Sequence, residues 1–94
     1  MAISFEWDPR KEKSNRRKHG VGFAEATTVF DDPLARIFPD GAHSEHEERE
    51  IIVGRSLANR LLIVSLIERV PERIRIISAR EATKVEQLDY EEAT

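Results

Sequence analysis

The chain has 94 residues, 39% of them hydrophobic, which is enough for one compact domain with one small active surface. It contains no cysteine, which removes disulfides, thiolate nucleophiles and thiolate zinc sites from consideration. No apolar run approaches the roughly 20 residues that cross a bilayer, and Met1 to Arg10 lack the apolar stretch of a signal peptide, so a cytoplasmic protein without membrane contact is expected.

The net charge of −3 conceals strong segregation. Residues 1–20 carry six basic and three acidic side chains, residues 21–50 two and eight, residues 51–80 six and two, and residues 81–94 one and five. Basic blocks separated by an acidic one suit a molecule with one face for an anion and another for something else. Ordinary solvated charge explains the pattern equally well.

In chain order, Ile3, Phe5 and Trp7 alternate with polar residues, the period of a half-buried strand. Asp8-Pro9 reads as a helix start, with a helix over Arg10 to His19 ended by Gly20 as a left-handed cap. A second short helix, Phe23 to Phe30, places Phe23, Ala26 and Phe30 at helical spacing and stops at Asp31-Asp32-Pro33. Four strands follow, over Leu34–Phe38, Glu50–Ser56, Leu61–Ile67 and Arg73–Ser78, as an antiparallel meander with a loop over Pro39–Glu48. Ser78-Ala79-Arg80-Glu81 matches a capping box, which starts a last helix running from Ala79 to Glu91. The fold class is α+β: an antiparallel sheet of four to five strands, two N-terminal helices packed on one face, and a C-terminal helix. The other face is left partly open.

The stretch Glu68–Arg80 is the richest in chemistry. On a strand Arg73 and Arg75 share a face, and paired guanidinium forks match phosphate. Arg80 would add its charge in the first turn of the last helix. Each arginine taken alone is also an ordinary solubilising residue. Ser78 is explained by its cap, with no nucleophile motif around it. Lys18 and His19 sit where a helix dipole favours cations, or supply a cation and a general base. Trp7 fills core or stacks on a base. His43 and His46 with Glu45 and Glu47 lack metal-site spacing, so no metal is expected.

Taken whole, the sequence resembles the BrnT toxin family. The likeness rests on Phe5-Glu6-Trp7-Asp8-Pro9, Asn15, Lys18-His19-Gly20-Val21, Phe23, Ala26 and Phe30-Asp31-Asp32-Pro33. It continues through Arg49, Gly54-Arg55-Ser56 and Ile74-Arg75-Ile76-Ile77-Ser78-Ala79-Arg80, with Ala82, Thr83, Glu86 and Tyr90. One departure is Glu68-Arg69-Val70-Pro71-Glu72, where the family often has a Glu-Arg-Gly-type turn. The resemblance implies a RelE-like ribonuclease fold and cleavage of RNA by its own 2′-hydroxyl, with neither metal nor cofactor. It also implies a neutralising ribbon-helix-helix (BrnA-like) antitoxin, a heterotetrameric complex, and contact with operator DNA only through that antitoxin.

For such chemistry Arg75, Arg80 and Arg55 are the expected charge stabilisers. Lys18, His19, Glu68 and Tyr90 are the expected proton-transfer groups, with Arg69, Arg73, Ser78 and Trp7 in contact with substrate. The alternative is a non-catalytic module that binds an antitoxin or RNA and regulates transcription.

Overall fold

The computed structural model describes residues 3–41 and 48–93. The alternating N-terminal residues form a short strand, β1 (Ser4–Glu6). Asp8 caps helix α1 (Pro9–His19) by accepting a hydrogen bond from the Arg10 amide at 2.8 Å, with Pro9 in the first turn. Gly20 closes it at φ 70°, a conformation that costs glycine little, and its N–H bonds the Arg16 carbonyl.

Helix α2 (Phe23–Thr27) is shorter than the expected Phe23–Phe30. It tightens into a 3₁₀ turn over Thr28–Asp31. Three residues per turn place Phe23, Ala26 and Val29 in line, so Val29 is fully buried while Phe30 is only partly buried.

Strands β2 (Arg36–Pro39), β3 (Arg49–Arg55), β4 (Leu61–Val70) and β5 (Arg73–Glu81) follow, then helix α3 (Lys84–Ala93). Residues 42–47, which include His43, Glu45, His46 and Glu47, lie outside the described residues.

The sheet order is β1-β5-β4-β3-β2. The meander from β2 to β5 is antiparallel as expected, but β1 joins the free edge of β5 in parallel, pairing Phe5 with Ile74 and Glu6 with Arg75. The sheet is therefore mixed rather than purely antiparallel. The meander leaves two outer edges, those of β2 and β5, and β1 takes the one on β5.

A second correction concerns the last helix. Ser78 and Arg80 belong to β5, opposite Ser65 and Ile63. Pairing with the ten-residue β4 holds the segment extended up to Glu81, overriding the local capping signal. The cap lies five residues later. The Glu86 amide donates to the Thr83 hydroxyl at 3.2 Å, and the Thr83 amide donates to the Glu86 carboxylate at 2.8 Å, a reciprocal capping box.

Helices α1 and α2 and the 3₁₀ turn cover one face of the sheet. There Ile52, Leu62, Val64, Leu66, Ile74 and Ile76 meet Val21, Phe23, Ala26 and Val29. Gly54 is required on this face, because a Cβ there would lie 2.9 Å from both Ala35 Cβ and Val29 Cγ1. Asn15 fastens α1 to β5 where β1 no longer covers the strand edge. Its side chain accepts from the Ala79 N–H at 3.1 Å and donates to the Ala79 carbonyl at 2.8 Å and the Val21 carbonyl at 2.9 Å. The carboxamide thus acts as a one-residue extension of the ladder.

Arg60 ties a second corner. It donates to both oxygens of Glu25 on α2, to Glu81 at the end of β5, and to the Gly20 carbonyl after α1.

Candidate active site

The site lies on the face of the sheet opposite α1 and α2. Cross-strand register defines its rows. One row runs Arg36, Val53, Ile63, Arg80 across β2 to β5; the next runs Phe38, Ile51, Ser65, Ser78. A third runs Arg49, Ile67, Arg75, Glu6 from β3 to β1.

Arg75 and Arg80 are five residues apart, and strict alternation would put them on opposite faces. They share a face because β5 carries a bulge. Ser65 pairs with Ser78 and Leu66 with Ile76, leaving Ile77 as the extra residue that reverses the alternation.

Arg80 is held by a bidentate ion pair. Its two terminal nitrogens donate to the two carboxylate oxygens of Glu86 at 2.7 and 2.8 Å. The Arg80 guanidinium, outweighing the cost of burial and assisted by the Thr83 N–H, holds the Glu86 carboxyl at about 2. The same pairing raises the pKa of Arg80. Arg75 is fixed similarly, donating to Glu6 on the neighbouring strand at 3.0 Å.

Tyr90 lies beside Arg80 in the wall of a shared cavity. Its hydroxyl reaches Asp32 Oδ2 at 3.1 Å and the Leu34 carbonyl at 3.3 Å. Burial, reinforced by the Asp32 charge, raises its pKa. Burial works against ionisation of Asp32, but the Arg55 and Leu34 amides and the Tyr90 hydroxyl outweigh it and lower the carboxyl. Arg55 closes this group: its amide donates to Asp32 at 2.7 Å and its charge acts on both Asp32 and Tyr90.

The structure thus brings Arg55, Arg80 and Tyr90 to one end of the open face. Arg75, Arg69 and Arg73 lie around a smaller hollow of about 200 Å³ further along, and Ser78 stands on the row next to Arg80.

The other expected residues fall elsewhere. Lys18 and His19 are exposed at the end of α1, the helix that packs on the opposite face. Glu68 accepts from the Glu72 amide at 2.7 Å and so closes the β4–β5 turn, where Glu72 takes φ 68°. Trp7 packs edge-on against Phe23, ring centres 6.0 Å apart, beside the core of the helix-covered face.

Reading the sequence for cations missed the partners that fix them. Glu86 carried a signal, the T-x-x-E of the true capping box. Asp32 was legible only as a helix stop, and Arg36 and Phe38 only as strand residues.

A five-stranded mixed sheet with α1 and α2 on one face, and carboxylate-paired arginines beside α3 on the other, defines a small α+β protein with an arginine-bearing, partly open face. The family model described as the ribonuclease toxin BrnT of type II toxin-antitoxin systems matches residues 7–86, and the chain belongs to that family. Its fold is similar to that of the crystal structure of the Brucella abortus ribonuclease toxin BrnT, with a TM-score of 0.69 and 24% identity, covering 88% of this chain and 100% of that one. No curated protein gives a significant sequence match.

Proposed function

We propose that the open face is the catalytic surface of a ribonuclease toxin that cleaves RNA by attack of its 2′-hydroxyl, with guanidinium groups rather than a metal ion neutralising the phosphate. The observation that carries this reading is the fixed fork of Arg80 on the sheet face that α1 and α2 leave uncovered, in a chain of a ribonuclease toxin family. In the reaction the O2′–P bond forms and the P–O5′ bond breaks, giving a 2′,3′-cyclic phosphate and a 5′-hydroxyl. Negative charge grows on the phosphorane oxygens, and the Arg80 guanidinium, held in place by Glu86, meets it with the N–H groups that the ion pair leaves free. Arg80 takes that role, with Arg55 across the face beside Asp32 and Tyr90 and Arg75 along the chain of phosphates.

Tyr90 retains its proton at neutral pH and suits a donor to the leaving oxygen better than a base. Glu86, with its carboxyl at about 2, is a weak base, and its part in this reading is to aim Arg80. An antitoxin, which in a type II system is a protein, would silence the enzyme by closing this face; a ribbon-helix-helix antitoxin in a heterotetramer is the expected form.

The test is cleavage of labelled RNA by the purified chain in the presence of a chelator. Wild type should leave 5′-hydroxyl ends, and Arg80→Ala should be slower by about 100-fold, the scale of losing one transition-state donor. Equal rates would remove Arg80 from the mechanism.

A second reading is favoured by the carboxylate partners of Arg75 and Arg80 and by the placement of Lys18, His19 and Glu68 away from them. It makes the open face a binding surface for RNA or antitoxin without chemistry. Its signature is saturable RNA binding with the RNA recovered intact.

A further inference from the structure

A cavity of about 380 Å³ on the open face lies between β2 and α3. Its size is at the low end of the roughly 300–1,000 Å³ typical of small-molecule sites. The floor is apolar, made by Ile51, Val53 and Ile63 from two adjacent strands. Phe38 forms one wall and is 46% exposed, an aromatic ring the fold leaves uncovered; the buried ring of Tyr90 forms the other. In register, Arg36 and Arg80 stand at the two ends of the Val53–Ile63 row, three strand spacings or about 14 Å apart. Asp89 borders the cavity from α3 and is exposed, and its carboxylate makes no hydrogen bond or ion pair among the described residues.

A flat apolar floor, an exposed aromatic wall, a guanidinium at each end and an uncommitted carboxylate on the rim match one ligand chemistry. A nucleobase presents apolar faces that stack on aromatic rings, its flanking phosphates meet arginines, and its edge carries hydrogen-bond donors that a carboxylate accepts. An apolar peptide anchor would fill the floor but desolvate the charged rim without supplying partners for it.

We propose that this cavity binds one unpaired nucleobase of the RNA, next to the phosphate held at Arg80, and that Asp89 selects bases bearing an exocyclic amino group over uracil. The inference rests on the ribonuclease reading and adds to it a specificity subsite. Phe38 and Tyr90 hold the base, while Asp89 reads its edge.

The experiment titrates the full chain with 2′-deoxy trinucleotides, which cannot be cleaved by 2′-hydroxyl attack, and follows backbone amide shifts. The central position is cytosine, uracil with an otherwise identical deoxy backbone, or an abasic sugar; inorganic phosphate alone is the fourth probe. Cytosine should bind several-fold tighter than uracil and at least tenfold tighter than the abasic chain, with shifts at residues 36–38, 51–53 and 63. Phe38→Ala should abolish the advantage of cytosine over the abasic chain. Asp89→Asn, a surface change, should abolish only the advantage over uracil.

Equal binding of cytosine and abasic chains, or shifts confined to other residues, overturns the proposal. In that case, binding of an antitoxin peptide at residues 36–38 and 63 would make the cavity a protein-docking site. RNA cleavage without base-dependent binding defeats this inference alone. Base-dependent binding without cleavage of RNA defeats the ribonuclease reading alone.

Discussion

Asn15 is a small polar residue in an apolar interface, 7% exposed, and its carboxamide makes three hydrogen bonds: its two N–H groups donate to the Ala79 and Val21 carbonyls and its oxygen accepts from the Ala79 amide. Asn15→Ala strands a buried N–H and two carbonyls beside Arg80, and leaving such groups unmade costs about 1–3 kcal/mol each before relaxation. A loss of about 2–3 kcal/mol is expected in urea unfolding, large against the 5–15 kcal/mol that holds a typical domain. Glu86 allows a test by pH. Its carboxyl ordinarily titrates near 4.5 and is held at about 2 by Arg80, so the folded state binds the proton less readily than the unfolded chain. The stabilisation is present above pH 4.5 and is lost as pH falls through 2, discounted by solvent because both partners are partly exposed. Thermal melts between pH 5 and 2 should therefore show a smaller drop in Tm for Glu86→Gln than for wild type, from a lower starting value.

At the scale of the element, two capping boxes compete for the start of α3. The structure places the cap at Thr83 and keeps Ser78 in β5. Thr83→Ala should cost about 1 kcal/mol, the usual value of an N-cap, and lower helicity in circular dichroism. Ser78→Ala should stay within about 0.5 kcal/mol of wild type, as for a strand residue without a cap to lose. The reverse order would return the helix start to Ser78. The same segment shows what the sequence can and cannot disclose. The Asp8-Pro9 start, the Gly20 stop and the isoleucine-rich runs of β3 and β4 are local signals, and each element forms where its signal stands. The parallel pairing of three-residue β1 with β5 leaves no local mark, because Phe5 and Ile74 meet only through the tertiary fold. The bulge at Ile77 is likewise silent in the sequence, yet it alone puts Arg80 on the face of Arg75. The arginines were thus legible as residue types, whereas their common face, their carboxylate partners and the place of Trp7 on the far side depend on contacts between distant segments.

Over the whole molecule, the net charge of −3 and an arginine-bearing face are compatible because the arginines of that face are partly neutralised in place, Arg80 by Glu86 and Arg75 by Glu6. An RNA phosphate must compete with a carboxylate at each. This lowers affinity for nucleic acid in general and favours ligands that engage several groups at once. Removing one carboxylate should expose the competition. The Glu6–Arg75 pair is solvent-exposed on both sides, so Glu6→Gln should change stability by no more than about 1 kcal/mol. It should nevertheless tighten binding of a non-cleavable single strand several-fold at low salt, because Arg75 then meets phosphate without a rival. Each further phosphate neutralised adds about −0.7 to the slope of log K against log salt for single strands. The variant should therefore show a steeper slope than wild type, with the two affinities converging as salt rises. Identical slopes would mean that Arg75 faces no phosphate and that the RNA path ends near Arg80; a steeper slope would extend the path across β5 to β1.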